Sequence, residues 1–133
     1  MAWDGTFSLT ETEDGSAGFV SVPAEDVLFF SFDRNLVVAH TEHMVYFAGW
    51  DSLDRFWKAI QGVDSRFYRT DRNYIANLSR IRKLDFEWCR GYFEEHPNPR
   101  SKFCYIARIR IREVHRRLAF MNGSTSPQNG VGT

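Results

Sequence analysis

The chain has 133 residues, 16% aromatic and 26% charged, with 17 basic and 17 acidic side chains and no net charge. That length fits one domain with one core, and no apolar run approaches the length of a membrane span. Two cysteines, Cys89 and Cys104, are too few for a disulfide framework; both sit among aromatic residues, which points to buried thiols. With an acidic N-terminus that lacks a signal-like apolar run, a reducing, cytoplasmic setting is expected.

Residues 1–18 are acidic and turn-rich, and 121–133 form a Gly/Ser/Asn tail expected to be disordered. Between them, 19–120 reads as one domain. Asp14-Gly15 between Thr6–Leu9 and Gly18–Val22 predicts an N-terminal hairpin. Val27–Phe32, Leu36–His40 and Met44–Ala48 predict an antiparallel meander, with Asp33-Arg34-Asn35 as its first turn. From Asp51 to Gln61 the period changes. Leu53, Phe56, Trp57 and Ile60 recur at helical spacing, Ser52 can cap, and Gly62 is expected to stop the helix. Phe67–Thr70 reads as a short strand or turn, and Asn73–Asn77 as a short apolar strand. Ile81–Trp88 alternates apolar and charged residues, predicting a half-exposed strand that Tyr92–Glu94 could pair with. His96–Ser101, with two prolines, is a loop. Phe103–Ile111 alternates again, and from Arg112 a short helix is expected, to about residue 120. The fold class is mainly β: antiparallel strands in small packed sheets, one amphipathic helix near 52–61 and a short C-terminal helix.

Charge is not evenly spread. Met1–Asp54 holds ten acids and one base, a net −9; Arg55–Thr133 holds sixteen bases and seven acids, a net +9. The bases cluster twice. Arg66, Arg69, Arg72, Arg80, Arg82 and Lys83 are opposed only by Asp71. Arg100, Lys102, Arg108, Arg110, Arg112, Arg116 and Arg117 are opposed only by Glu113. Arginine dominates both, and its planar five-donor fork suits phosphate oxygens and the guanine edge. Solvated strand edges would also carry charge, to block aggregation. Asn35 tips a turn, Arg72 and Asn73 lie in a turn-like stretch, and Arg112 opens a helix. Such loops and element ends can reach base edges, where Asn fits adenine and Arg fits guanine.

Phe67-Tyr68-Arg69-Thr70-Asp71-Arg72-Asn73-Tyr74-Ile75-Ala76-Asn77-Leu78-Ser79-Arg80-Ile81 resembles the signature of the LytTR family, roughly F-x-R-x-H-R-S-Y-I-V-N-x-x-x-I. The matches are Phe67, Arg69, Arg72, Tyr74, Ile75, Asn77 and Ile81. Glu25–Phe30, the helix Leu53–Ile60 and Ile111-Arg112 with Leu118 resemble the family's flanking segments in the right order. The resemblance covers about residues 19–120. It implies a mostly β DNA-binding domain, of the kind found as the output domain of bacterial two-component response regulators. Such domains place loops in successive major grooves of repeated sites to regulate transcription. Carried over residue by residue, base contacts fall at Asn35, Arg72 and Arg112. Backbone contacts are assigned to Arg34, Arg69, Asn73, Arg80, Lys83 and Arg116. Asn77 is expected to cap local backbone. The chain departs from the pattern at Asp71, Asn73 and Ile111, where the family has His, Ser and Ser. The partners implied are double-stranded DNA, a second copy as a homodimer or side by side on repeated sites, and a receiver or other regulatory protein.

Other classes fit less well. His40-Thr41-Glu42-His43 diverges on a strand and turn, so no metal site is expected. No glycine-rich phosphate loop, catalytic set or cofactor site is expected. The alternative reading is a protein–protein interaction module using the acidic N-terminal half and exposed aromatics such as Trp3, Trp50 and Trp57. RNA or single-strand binding on an aromatic and arginine platform is a third option.

Overall fold

A computed structural model describes residues 3–122. Seven strands form one antiparallel sheet: β1 (Thr6–Thr10), β2 (Phe19–Pro23), β3 (Phe29–Asp33), β4 (Leu36–His40), β5 (Val45–Phe47), β6 (Phe67–Asp71) and β7 (Tyr74–Asn77). Their order is β2-β1-β5-β4-β3-β7-β6. The N-terminal hairpin and the meander appear as expected, joined where Thr10 of β1 pairs with Phe47 of β5. Helix α1 (Leu53–Ile60) lies between β5 and β6. Ser52 caps it, its hydroxyl accepting from the Arg55 amide at 3.2 Å. Gly62 follows in a turn without a left-handed φ, so its special conformational freedom is not what ends the helix.

Strand β3 runs through the middle of the molecule. Phe30, Val37, Ala39 and Ile75 point to one face, where Phe7, Leu9, Val22 and Phe67 join Leu53, Phe56 and Ile60 of α1 in one core. Phe29 and Ala76 point to the other face and a second core. Burial on both sides explains why this stretch reads Val-Leu-Phe-Phe-Ser-Phe without apolar alternation. Trp57, expected to be exposed, is half-buried against the first core.

The second core is closed by a three-stranded sheet, order β10-β9-β8, and a helix: β8 (Lys83–Asp85), β9 (Arg90–Tyr92), β10 (Phe103–Tyr105) and α2 (Ile111–Met121). Cys89 and Cys104 are buried here as free thiols, as expected. Two strand expectations are corrected. The alternating stretch Ile81–Trp88 is strand only at Lys83–Asp85. The Asp85 carboxylate accepts from the amides of Glu87 (2.9 Å) and Trp88 (3.0 Å), turning the chain before the alternation runs out. The stretch Phe103–Ile111 is strand only to Tyr105 and passes through a 3-10 turn, Arg108–Arg110, into α2. Ile111 and Val114 reach the core at helical spacing, while Ile109 is 89% exposed.

The expected tail lies, from residue 123 on, outside the described residues; Met121 ends α2. Among the described residues no helix is long and apolar enough to cross a membrane.

Candidate nucleic-acid interface

Two turns meet at one end of the large sheet. Ser31 pairs with Tyr74, and the Phe32 amide donates to the Asn73 carbonyl at 3.1 Å. The β3–β4 turn, with Arg34 and Asn35, therefore sits beside the β6–β7 turn, with Arg72 and Asn73. Arg34 and Asn35 both have positive φ, 50° and 65°. This is the backbone of the two-residue hairpin turn that matches strand twist, and Asn tolerates it best after glycine. At the second turn the Asp71 carboxylate accepts from the Asn73 amide at 3.0 Å. Asp71 thus pins the turn backbone with its carboxylate.

Arg69 serves the same turn from behind. Its guanidinium donates to Asp54 at 2.7 Å, to the Asp71 carbonyl at 3.2 Å and to the Arg72 carbonyl. The side chain is only 16% exposed. The contact holds the Asp54 carboxyl below its ordinary range, chiefly through the hydrogen bond from Arg69.

A third element arrives through a bulge. The β6–β7 register shifts between Arg69 and Asp71, which frees Thr70 to face the second layer. The buried Thr70 hydroxyl donates to the Tyr105 carbonyl at 2.9 Å, and its carbonyl accepts from the Ala107 amide at 2.7 Å. The Arg110 guanidinium lies 3.5 Å from the Arg69 carbonyl. Residues Arg108–Arg110 and the start of α2, including Arg112, are so tied to the end that carries the two turns. Arginine at a helix N-terminus opposes the helix dipole, and α2 has no capping side chain there. Glu113, in the first turn of α2, offsets part of that cost. Arg72, Arg108, Arg110 and Arg112 are exposed and make no salt bridge among the described residues.

The sequence-predicted residues therefore divide. Asn35, Arg72, Asn73 and Arg112 share this end, with Arg34, whose guanidinium pairs with Glu13 at 3.0 Å. Arg69 lies beneath the surface as a strut. Arg80 follows the far end of β7 and donates to the Glu25 carbonyl at 2.6 Å. Lys83 is exposed at the start of β8, the end away from the turns. Arg116 lies farther along α2, paired with Glu113 at 2.6 Å, and Arg117 shares that carboxylate. The two arginines keep the Glu113 carboxyl below its ordinary range. Arg108 and Arg110 share this end as well, although alternation reads them as the outer face of a strand. The helical spacing of Ile111, Val114 and Leu118 was the available signal for an earlier turn. Among the described residues no group of three or more His, Cys, Asp and Glu side chains could hold a metal ion.

The same architecture is known. A solved structure from Bacillus cereus, described as the LytTr DNA-binding domain of a methyl-accepting/DNA response regulator, superposes with a TM-score of 0.63. At 15% identity the likeness is one of fold, and it covers 87% of this chain and 97% of that one. No curated protein matches the sequence. The profile of the LytTr DNA-binding domain matches residues 17–119, most of the chain. The chain belongs to the LytTr DNA-binding domain family.

Proposed function

We propose that this domain binds duplex DNA sequence-specifically and acts as a bacterial transcriptional regulator. Asn35, Arg72 and Arg112 read base edges in the major groove; Arg34, Asn73, Arg108 and Arg110 hold the flanking phosphates. The observation that carries the reading is the convergence of two turns and a helix start at one end. There Arg72, Arg108, Arg110 and Arg112 are exposed and, among the described residues, free of acid partners. Short turns held by backbone hydrogen bonds can enter a groove without a recognition helix, and bidentate arginine contacts discriminate bases. A second copy side by side on a repeated site and a receiver protein are the partners this reading adds.

Selection from random duplex DNA, followed by salt-titrated binding, tests it. A recovered motif and a log–log salt slope of several units are expected. Arg112→Ala should cost roughly 1–3 kcal/mol and relax preference at one position. A uniform loss across sequences would make Arg112 a phosphate contact instead. Lys83→Ala, at the other end, should leave base preference unchanged. Paired direct repeats in the selected motif would support two copies side by side. No salt slope and no preference would end the proposal in favour of a protein-interaction module.

A further inference from the structure

The β8–β9 turn shares this end of the domain, although neither motif nor charge marks it. Register fixes its place. Arg90 pairs with Asp85 on one side and Tyr105 on the other. Tyr105 is tied to the Thr70 bulge, and the Ile106 amide donates to the Cys89 carbonyl at 2.9 Å. Residues 86–89 therefore close their hairpin on the side where β6 turns into β7. Tyr105 continues the link, its ring 5.6 Å from Tyr74, the residue after Asn73.

Cys89 reaches the second core, but Phe86 and Trp88 do not, Phe86 packing only edge-on against His115 at 5.5 Å. Trp88 is 63% exposed and Phe86 49% exposed. The turn is nonetheless held firmly, by the Asp85 carboxylate and by the Cys89 carbonyl, which accepts from the Ile106 amide. Arg90 stacks its guanidinium 4.3 Å over Phe103, with Tyr105 at 5.7 Å and Trp88 at 5.9 Å. Its Nη1 donates to the Tyr92 hydroxyl at 3.3 Å. Its Nε is buried without a partner, and no acid pairs with the group among the described residues. A stacked guanidinium keeps its plane fixed, and the terminal nitrogen that Tyr92 does not take is the donor left for a ligand. An exposed indole beside such a donor matches a strand of duplex backbone, which offers an apolar sugar face and an anionic phosphate in alternation. Charge supports that occupant, because Arg108, Arg110 and Arg112 follow directly from Ala107 at the bulge.

We propose that the β8–β9 turn is a further contact to duplex DNA, in which Trp88 packs on a deoxyribose and Arg90 donates to the adjoining phosphate. The contact lies just outside the base pairs read by Asn35, Arg72 and Arg112, and it rests on the DNA-binding reading above. It adds affinity without adding sequence information.

The test uses the full chain and the selected site in two duplexes, one trimmed to the recognised base pairs and one extended by several pairs on each side. On the extended duplex Trp88→Ala should weaken binding about 5- to 20-fold, with base preference and salt slope unchanged. Arg90→Gln should weaken it comparably and lower the salt slope by about one unit. On the trimmed duplex both variants should match the wild type. Trp88→Ala, in an exposed turn, decides the matter without a folding cost. Wild-type affinity for that variant on the extended duplex would overturn the contact, and would point to Trp88 as a protein-docking residue. Failure of the wild type to bind either duplex would overturn the DNA-binding reading with it.

Discussion

Asn77 is fully buried and satisfies four groups at once. Its amide donates to the carbonyls of Val27 (2.9 Å) and Ala24 (3.4 Å), and its oxygen accepts from the Ser79 amide (3.1 Å) and hydroxyl (2.6 Å). Asn77→Ala strands the buried Val27 carbonyl away from water and removes the cap from the half-buried Ser79 amide. The Ala24 carbonyl keeps the Val27 amide as partner, and the Ser79 hydroxyl can rotate. One orphaned buried carbonyl at about 1–3 kcal/mol and a smaller cost for the half-buried amide predict a loss of roughly 1–4 kcal/mol, a large share of an ordinary domain's stability. Urea unfolding should show it as a lower midpoint with an unchanged slope. Asn77→Asp keeps the acceptor and loses both donors, setting a carboxylate against two carbonyls. Its folded pKa must rise above the unfolded value of about 4, so the penalty is full at neutral pH and shrinks as pH falls through the folded pKa. A loss under about 1 kcal/mol for Asn77→Ala, or wild-type stability for Asn77→Asp at pH 7, would refute the reasoning.

Three further outcomes are expected. His40 stacks on Phe29 with ring centroids 4.2 Å apart, bonds Ser31 at 2.9 Å, and has its pKa lowered to about 4, chiefly by burial and then by Lys102. The folded value lies below the unfolded value of about 6.5, so protonation favours unfolding. Stability should fall by about 2–3 kcal/mol between pH 6.5 and 4, a component that His40→Gln removes from the urea-derived pH profile. Gly91→Ala would bring a Cβ to 3.2 Å from Ile81 Cδ1 and 3.3 Å from Cys104 Sγ. That overpacking should cost about 1–3 kcal/mol, read by calorimetry as a fall in Tm; an unchanged Tm would mean that the second core yields. Glu13→Gln releases Arg34 from an exposed ion pair. Titrations with the selected duplex should then show binding about 2- to 5-fold tighter, with a steeper salt slope.

Local signals carried the parts of the fold that local chemistry decides. The helix α1 and its Ser52 cap, the strand Leu36–His40 and the Arg34-Asn35 turn all follow from period and turn propensity. The losses came where a distant or side-chain bond overruled alternation. Asp85 cuts β8 short by binding the two amides ahead of it. Thr70, far away in sequence, draws Ala107 out of any strand. The central motif identified the family from Tyr74, Ile75, Asn77 and Ile81, and Asn77 proved to cap the Ser79 turn as expected. It also reaches Val27 and Ala24, about fifty residues earlier, which no spacing could announce. Nor could charge separate Arg69 from Arg72. One is held by Asp54 and two carbonyls, the other pairs with no acid among the described residues, and only the neighbours in space distinguish them.

The position of β3 between the two cores has a dynamic consequence. Phe29 and Phe30 face opposite layers, so neither layer can open while the strand stays covered. Amides of β3 should exchange hydrogen only through global unfolding, while the strand edges exchange through local openings. The Arg34-Asn35 turn hangs directly from this slowest-exchanging segment. A reading tip anchored there gives up little motional freedom when it meets DNA, so more of its contact energy survives as affinity.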